Sequence, residues 1–402
     1  MKFAALGTDR DVLMLVEAAL AAGHHIVWLG DVRPEDADAI RSLLPGLPDS
    51  ADWESLLDHR LVDAVLVGRG TAADDLRAEQ LKRLVTDAVP TLLVHPATLS
   101  VLTFYELDMG RRESRAVVRH YNPLVGNPNV AELADWVRSG ESEIGAVYQV
   151  VCQRFASDCG RDAVLRHLAR DVEVLRAVAG EVRSVSAVGP RGLDANYASL
   201  QVQLSGSGTA TVRWSIVPTP GQASRVELTL IGQRGSATLR LPPDSDSAGA
   251  GVAGAGSLEI AVGDRKESRP RRPRDAPRAA IDALAAALPA NATDQSAAAS
   301  TWQDATIAME IADAIELSLQ KGRTIEIHPQ KLTEQLAFRG TMAAFGCGLL
   351  FVGFFVLVFA GVLGDVLDLP LVRFWPWALL AMLAMFLLLQ VVPWLAKKRP
   401  GD

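Results

Sequence analysis

The stretch KFAALGTDRDVLMLVEAALAAGHHIVWLGD, residues 2–31, holds a short apolar run, an amphipathic stretch and a second apolar run. The first run, KFAALG, predicts a buried strand, and HIVWLGD predicts a second one. Between them the sequence predicts a helix that begins near Asp11 and ends at Gly23. A strand, a helix and a strand in this order predict two parallel strands joined by a right-handed crossover.

The same alternation continues toward residue 120. VDAVLVG (62–68) predicts a third apolar strand, and LRAEQLKRLVTDAVPTLLVHP (76–96) repeats the helix-to-strand pattern. We therefore predict a Rossmann-like domain over residues 1–120. Ligands of such sheets bind beyond the carboxyl ends of the strands, which here are Gly7 to Asp9, Asp31, Gly68 to Gly70, and His95 with Pro96.

Residues 121–330 predict a different architecture. Strands rich in Val and Thr, such as AVYQVVCQRF (146–155) and TATVRWSIVP (209–218), are separated by glycine-containing turns, and one long helix, RDAVLRHLARDVEVLR (161–176), intervenes. This pattern predicts an α+β open-sheet domain. Residues 243–275 are rich in Ser, Ala, Gly, Pro and Arg, which predicts a flexible insertion with a weak strand at SLEIAV.

The basic segment DRKESRPRRPRDAPR (264–278) resembles a nucleic-acid or lipid-binding patch by charge alone. Its prolines and interspersed acids leave it without a periodic face or an aromatic platform, so we interpret it as a solvated loop. The formal charge of the chain is −7, which also argues against nucleic acid as a partner. Three cysteines cannot form a four-thiolate metal site, and we predict no metal.

The carboxyl-terminal part contains two long segments without a charge, residues 340–364 and 374–396. Each is long enough to cross a hydrocarbon layer of about 30 Å as a helix, so they predict a two-pass membrane anchor. Lys331, Arg339 and the basic run 397–399 flank the pair, whereas the connecting loop holds Asp365, Asp368 and Arg373. This asymmetry predicts the inner (cytoplasmic) membrane, with the large body and the carboxyl terminus both cytoplasmic.

Several segments in order resemble the glucose-fructose oxidoreductase and inositol dehydrogenase family, Gfo/Idh/MocA. They include VVRHYNP, ELADWVRSGESEIGAVYQV, VELTLIGQRGSATL and QDATIAMEIADAIELSLQKGRTIEI, and the resemblance covers roughly residues 2–328. It implies that NAD or NADP binds the first domain and that a sugar or polyol binds against the sheet of the second. It also implies a homodimer that pairs through this sheet. The membrane hairpin is an addition to the family pattern.

The cofactor positions of this family are Gly7, Asp9, Asp31 and His95 in the present sequence. Asp9 and Val12 stand where the second and third glycines of a dinucleotide fingerprint would lie, and a carboxylate there repels phosphate. Asp31 fits the acid that holds a ribose hydroxyl, or it is merely a polar strand end. His95 replaces the family's lysine, and it either exchanges a proton near neutral pH or faces solvent.

The catalytic positions of this family on the long helix are Arg166 and Arg170, where the resemblance implies Asp and His. Arginine cannot act as a base at neutral pH. The two guanidinium groups either bind an anionic ligand such as a carboxylate or phosphate sugar, or pair with Asp162, Asp171 or Glu173. His167 is adjacent but points about 100° away on a helix.

Two hypotheses follow for function. The first is a membrane-anchored protein of this type with degenerate nucleotide and catalytic motifs, which binds a ligand or serves as a scaffold. The second is an active NAD(P)-dependent oxidoreductase of a sugar or polyol that uses His95 and His167 in place of the usual groups.

Overall fold

The computed structural model describes residues 1–192, 196–206, 208, 210–222, 224–241, 257–270, 275–288 and 302–327. The chain divides into two compact units, Met1–His328 and Pro329–Asp402, and the second lies outside the described residues. Within those residues, no helix has the length and apolarity that a membrane crossing requires. The predicted spans 340–364 and 374–396 fall in the undescribed part, so they stay a prediction.

The first sheet is parallel, as the sequence predicted, and it has five described strands, one more than the four that the sequence pattern indicated. They are β1 (Lys2–Leu6), β2 (His25–Gly30), β3 (Ala64–Val67), β4 (Thr91–Val94) and β5 (Val118–Tyr121), in the order β2-β1-β3-β4-β5. Strands β3 and β4 are buried along their whole length, because helices cover both faces of the sheet. The helices of this part are α1 (Arg10–Ala21), α2 (Ala37–Leu43), α3 (Asp74–Thr86) and α4 (Val101–Ser114), with short 3₁₀ turns at Pro34–Asp36 and Trp53–Leu57.

The second sheet has nine strands and is mixed. The strands are β6 (Val147–Ala156), β7 (Val182–Val188), β8 (Gln201–Gly206), β9 (Thr211–Pro218), β10 (Arg225–Gly232), β11 (Gly235–Leu241), β12 (Ser257–Val262), β13 (Arg265–Pro270) and β14 (Ile325–Glu326). Their order is β13-β12-β11-β10-β6-β9-β8-β7-β14, and among these described strands the β6 and β9 pair alone is parallel. Buried and less buried residues alternate along β10, which is the pattern of a sheet with one face on the core.

The other described helices are α5 (Pro128–Ser139), α6 (Arg161–Ala179), α7 (Ala276–Ala287) and α8 (Trp302–Lys321). The two longest of them, α6 and α8, connect the two sheets. Helix α6 packs on β6 and β9, while its Ala169 joins the apolar core of the first sheet. Helix α8 contacts β7 on one side and α4 and β5 on the other. Arg166 and Arg170 of α6, which the family resemblance implied as catalytic positions, therefore lie between the two sheets, in a region that we call the seam.

The predicted insertion 243–275 contains a regular hairpin, which corrects part of our interpretation. SLEIAV forms β12 as predicted, but residues 265–270 form the edge strand β13 rather than a solvated loop. Its backbone pairs with β12 along the whole strand, and Arg269 adds ion pairs to Glu267 of its own strand and to Glu132 and Glu143 of the neighbouring α5 region. A charged edge strand of this kind also discourages unwanted strand pairing.

Candidate functional site

The turn after β1 carries its own anion at the amino terminus of α1. Gly7 has a positive φ of 76°, and Asp9 is the N-cap residue of the helix. One oxygen of Asp9 accepts a hydrogen bond from the backbone N of Val12 at 2.9 Å, and the other accepts one from the backbone N of Arg69 at 3.1 Å. The Asp9 carboxylate thus occupies the helix terminus that would bind a pyrophosphate.

The loop after β3 lies directly against this turn. A Cβ built on Gly68 would be 2.7 Å from the carbonyl oxygen of Gly7 and 2.8 Å from Oδ2 of Asp9. Gly70, at a φ of 56°, approaches Gly7 and the Asp31 carboxylate with similar closeness. The two turns are in van der Waals contact at the carboxyl ends of β1 and β3, where a dinucleotide would have to pass between them.

Asp31, the predicted ribose ligand, is used inside the protein. It ends β2 with a positive φ of 57° and forms an ion pair with Arg77. The same carboxylate accepts hydrogen bonds from the backbone N of Thr71 at 2.9 Å and of Ala72 at 3.3 Å. Its side chain is 15% exposed. A ribose hydroxyl would have to compete with these partners.

Arg77 is the residue that the sequence analysis missed at this site. It lies on α3, is fully buried, and also donates hydrogen bonds to Gln80 at 2.8 Å and to the carbonyl oxygen of Arg69 at 3.1 Å. Burial lowers its pKa, and the carboxylate of Asp31 opposes that effect. The guanidinium therefore holds α3, the loop after β3 and the end of β2 together.

These observations test whether the residues fit NAD or NADP, and they do not. A dinucleotide needs free amides at the helix terminus and a glycine turn open to the pyrophosphate, and NAD also needs an available acid for the ribose. Here the amides of Val12 and Arg69 bind Asp9, and the acid binds Arg77. Gly7, Asp9 and Asp31 lie together at the carboxyl ends of β1 and β2, but they interact with the protein itself.

His95 lies in the interior, which corrects our expectation that it faces solvent or exchanges protons near neutral pH. It is 1% exposed, and its ring packs edge-on against Phe104 at 5.6 Å between centroids. Burial lowers its pKa to about 4; Glu173 opposes the shift, and His120 and Arg170 reinforce it. The imidazole is therefore neutral at pH 7.

Arg166 and Arg170 bind acids of the first half of the molecule. Nη2 of Arg166 lies 2.6 Å from Oδ1 of Asp74, and Nη2 of Arg170 lies 2.7 Å from Oδ2 of Asp11. Both acids belong to the first turn of a helix, where the helix dipole also stabilises a carboxylate. The two arginines are 7% and 6% exposed. They therefore join α6 to α3 and α1 instead of presenting a cationic surface to a ligand.

The partners that the sequence predicted for these arginines have other contacts. Asp162 pairs with Arg161. Asp171 is fully buried, pairs with Arg154 and accepts a hydrogen bond from Nε1 of Trp214 at 2.8 Å. No local spacing indicated these partners, because Arg154 and Trp214 come from strands β6 and β9.

Glu173 is the centre of a second buried polar cluster. Nε2 of His120 lies 3.0 Å from its Oε1, and Nδ2 of Asn122 donates a hydrogen bond to its Oε2 at 2.6 Å. Burial raises the pKa of Glu173, but attraction to His95 and His120 and the hydrogen bonds outweigh it and lower the pKa to about 2. His167, the other alternative base, is 5% exposed. The polar side chains of the seam are thus shielded from solvent and contact one another.

No protein-family model and no curated protein sequence matches the chain. Solved structures do match most of it. An aldose-aldose oxidoreductase from Caulobacter crescentus has a TM-score of 0.62 at 15% identity, over 81% of this chain and 99% of that one. A UDP-N-acetylglucosamine 3-dehydrogenase from Acidithiobacillus ferrooxidans has a TM-score of 0.57 at 16% identity, over 80% and 98%.

This chain shares its fold with these oxidoreductases. The same holds for a biliverdin reductase from Synechocystis, solved with biliverdin and NADP+, at a TM-score of 0.60 and 13% identity over 79% of this chain and 99% of that one. The structural neighbours are of the Gfo/Idh/MocA type, as the sequence resemblance implied. At these identities the likeness establishes the fold, and the chemistry has to be argued from the residues.

Proposed function

We propose that the chain is a non-catalytic scaffold with an oxidoreductase fold, tethered to the cytoplasmic side of a membrane by its carboxyl-terminal hairpin. The main support for this proposal is the position of the Asp9 carboxylate at the amino terminus of α1. There it accepts hydrogen bonds from the backbone amides of Val12 and Arg69. A pyrophosphate at this terminus would have to displace a covalently attached anion that is always present.

The seam supports the same proposal. Hydride transfer from a polyol needs a group that removes the hydroxyl proton. At the catalytic positions stand Arg166 and Arg170, which are not bases and are paired with Asp74 and Asp11. His95, the alternative base, is buried, and a pKa of about 4 makes it a weak proton acceptor. These ion pairs also disfavour an anionic sugar as a ligand. The first hypothesis offered ligand binding or scaffolding, and we therefore favour scaffolding.

The tether and the partners are part of the proposal and rest on the sequence. The charge-free segments 340–364 and 374–396 with their basic flanks support a two-pass anchor. The long second sheet supports pairing of two copies. The body would then hold a partner membrane protein or a second copy of itself at the membrane.

Turnover assays on the full chain in detergent test the loss of catalysis. The chain is incubated with NAD+ or NADP+ and a panel of polyols and sugars, and an active oxidoreductase of the same fold in the same detergent serves as the positive control. We expect no reduced nicotinamide above background, and no change in His95→Ala. A rate in the native chain that disappears in His95→Ala would establish the enzyme hypothesis instead.

A further inference from the structure

Basic side chains gather at the edge of the second sheet where the described part of the chain ends. The last strand, β14, pairs with β7, and the backbone N of Ile327 donates a hydrogen bond to the carbonyl oxygen of Arg183 at 2.7 Å. The chain therefore leaves the body at this edge. Four exposed cations belong to the segments that meet here, namely Arg183, Arg191, Lys321 and Arg323.

Local contacts fix these segments next to one another. Nη2 of Arg191 lies 3.0 Å from the position of a Cβ built on Gly322, which places this guanidinium beside the backbone between Lys321 and Arg323. The turn itself is held because Oγ of Ser318 donates a hydrogen bond to the carbonyl oxygen of Arg323 at 2.8 Å. Three positive charges are therefore grouped at the end of α8.

These cations are not neutralised within the described part of the chain. None of the four forms an ion pair with a described acid, in contrast to Arg161, Arg166, Arg170 and Arg269 elsewhere in the molecule. The exposed acids of the same segments are Glu181 and Glu326. Val188, the last residue of β7, is 72% exposed and lies three positions before Arg191. The edge thus combines excess positive charge with an exposed apolar side chain.

The charge of this edge is opposite to that of the body. Residues 331–402 carry six basic and four acidic side chains, or +2, which leaves −9 for residues 1–330 out of a total of −7. On net charge alone, an anionic leaflet would repel the body. Since charges are screened over about 8 Å at physiological ionic strength, the charges at the face nearest the lipid decide the interaction.

We propose that this exit surface, formed by Arg183, Val188, Arg191, Lys321 and Arg323, binds the anionic headgroups of the membrane to which the chain is tethered. The inference rests on the tether in the proposed function. Twelve residues, 328–339, separate the body from the first predicted span, and they include Lys331 and Arg339. This linker reaches at most about 43 Å when extended, which limits how far the exit surface can move from the lipid. The scaffold then has a fixed orientation on the bilayer.

Hydrogen exchange of the full chain in lipid nanodiscs tests the proposal. The discs contain either phosphatidylcholine alone or a mixture with phosphatidylglycerol, and the peptides that cover residues 181–192 and 318–327 are followed. We expect exchange in these peptides to be at least about threefold slower in the anionic discs, and the difference to disappear at high salt. The triple variant Arg191→Glu, Lys321→Glu, Arg323→Glu should lose the difference.

A matched control reverses three exposed cations on other elements, Arg41→Glu, Arg60→Glu and Arg138→Glu. It changes the net charge equally and should keep the lipid dependence. Alkaline extraction of the same preparations reports the tether separately. If the chain resists extraction but exchanges equally in both kinds of disc, the exit surface is refuted and the tether stands. If alkali removes the chain from the discs, both proposals fail.

Discussion

Asp9 stands where a dinucleotide-binding turn carries a glycine, and its carboxylate both caps α1 and binds the loop after β3. The sequence predicted that a carboxylate here conflicts with phosphate. It did not predict that the backbone N of Arg69, in the loop after β3, donates a hydrogen bond to this carboxylate, because the contact joins residues sixty positions apart. The Asp9 side chain therefore occupies the place where an anion would bind, and it links α1 to the loop after β3.

The first prediction concerns this cap. Asp9→Ala should lower the free energy of unfolding by about 1 to 2 kcal/mol, because two backbone amides lose their acceptor. Asp9→Asn should cost less, since its amide oxygen still caps the helix. Urea denaturation measures both, with the exposed Asp38→Ala as a control that stays near the native value. Equal stability of Asp9→Ala and the native chain would show that the cap contributes nothing.

The second prediction concerns the seam. Arg170→Met leaves the buried carboxylate of Asp11 without its guanidinium and should cost roughly 3 to 5 kcal/mol. The double variant with Asp11→Leu should recover part of this loss, because it removes the stranded charge as well. The exposed pair Arg138 and Asp135 provides the matched cycle, where Arg138→Met should cost at most about 1 kcal/mol. Additive losses at the buried pair would contradict the ion-pair account.

At the scale of elements, periodicity was enough for most of the fold. The alternation of strands and helices in residues 2–96 predicted the parallel sheet, and the Val and Thr strands predicted the second sheet. Strand β13 was missed because its sequence, RKESRP, has no apolar alternation. It is held by backbone pairing with β12 and by ion pairs to residues more than a hundred positions away, which no local pattern reports.

The third prediction follows from that edge strand. Hydrogen bonds to Glu267 and Glu143 raise the pKa of Arg269 and keep it charged. Arg269→Ala should loosen the hairpin 257–270, so that its amides exchange several-fold faster while the unfolding midpoint moves little, because partly exposed pairs are worth at most about 1 kcal/mol. Arg265→Ala, at a 76% exposed position of the same strand, should have a smaller effect. Unchanged exchange in Arg269→Ala would refute the pairing explanation.

At the scale of the whole molecule, the buried groups of the seam predict acid sensitivity. The folded pKa of His95, about 4, lies below its ordinary value of 6.5, so the unfolded chain takes up a proton between these values and the folded chain does not. Stability is therefore full above pH 6.5 and falls toward pH 4. Glu173, with a folded pKa of about 2 against 4.5, contributes stability that is present above pH 4.5 and lost toward pH 2.

The fourth prediction tests the role of His95. Between pH 6.5 and 4 the native chain should lose up to about 3 kcal/mol through His95, and His95→Gln should flatten this part of the pH profile. The loss below pH 4.5 should shrink as well but not disappear, because His95 is one of several groups that lower the pKa of Glu173. Thermal or urea unfolding across the pH range measures the slope. His59→Gln, at an exposed position, is the control and should keep the native slope. An unaltered slope in His95→Gln would place the acid sensitivity elsewhere.

The site as a whole could be predicted only in part. The sequence identified Gly7, Asp9, Asp31, His95, Arg166 and Arg170 as the positions to examine, and it indicated that hydride chemistry conflicts with the arginines. It could not predict their ion-pair partners Asp11, Asp74 and Arg77, because ion pairs between distant elements depend on the packed fold. Those partners bind the side chains that the resemblance assigned to the cofactor and the substrate.

A titration of the full chain with NADH and NADPH, read by energy transfer from its tryptophans to the nicotinamide, tests whether these internal contacts prevent nucleotide binding. We expect no saturable signal up to millimolar nucleotide, because Asp9 and the Asp31 pair with Arg77 occupy the groups that would bind the nucleotide. Saturable binding at micromolar nucleotide would contradict it.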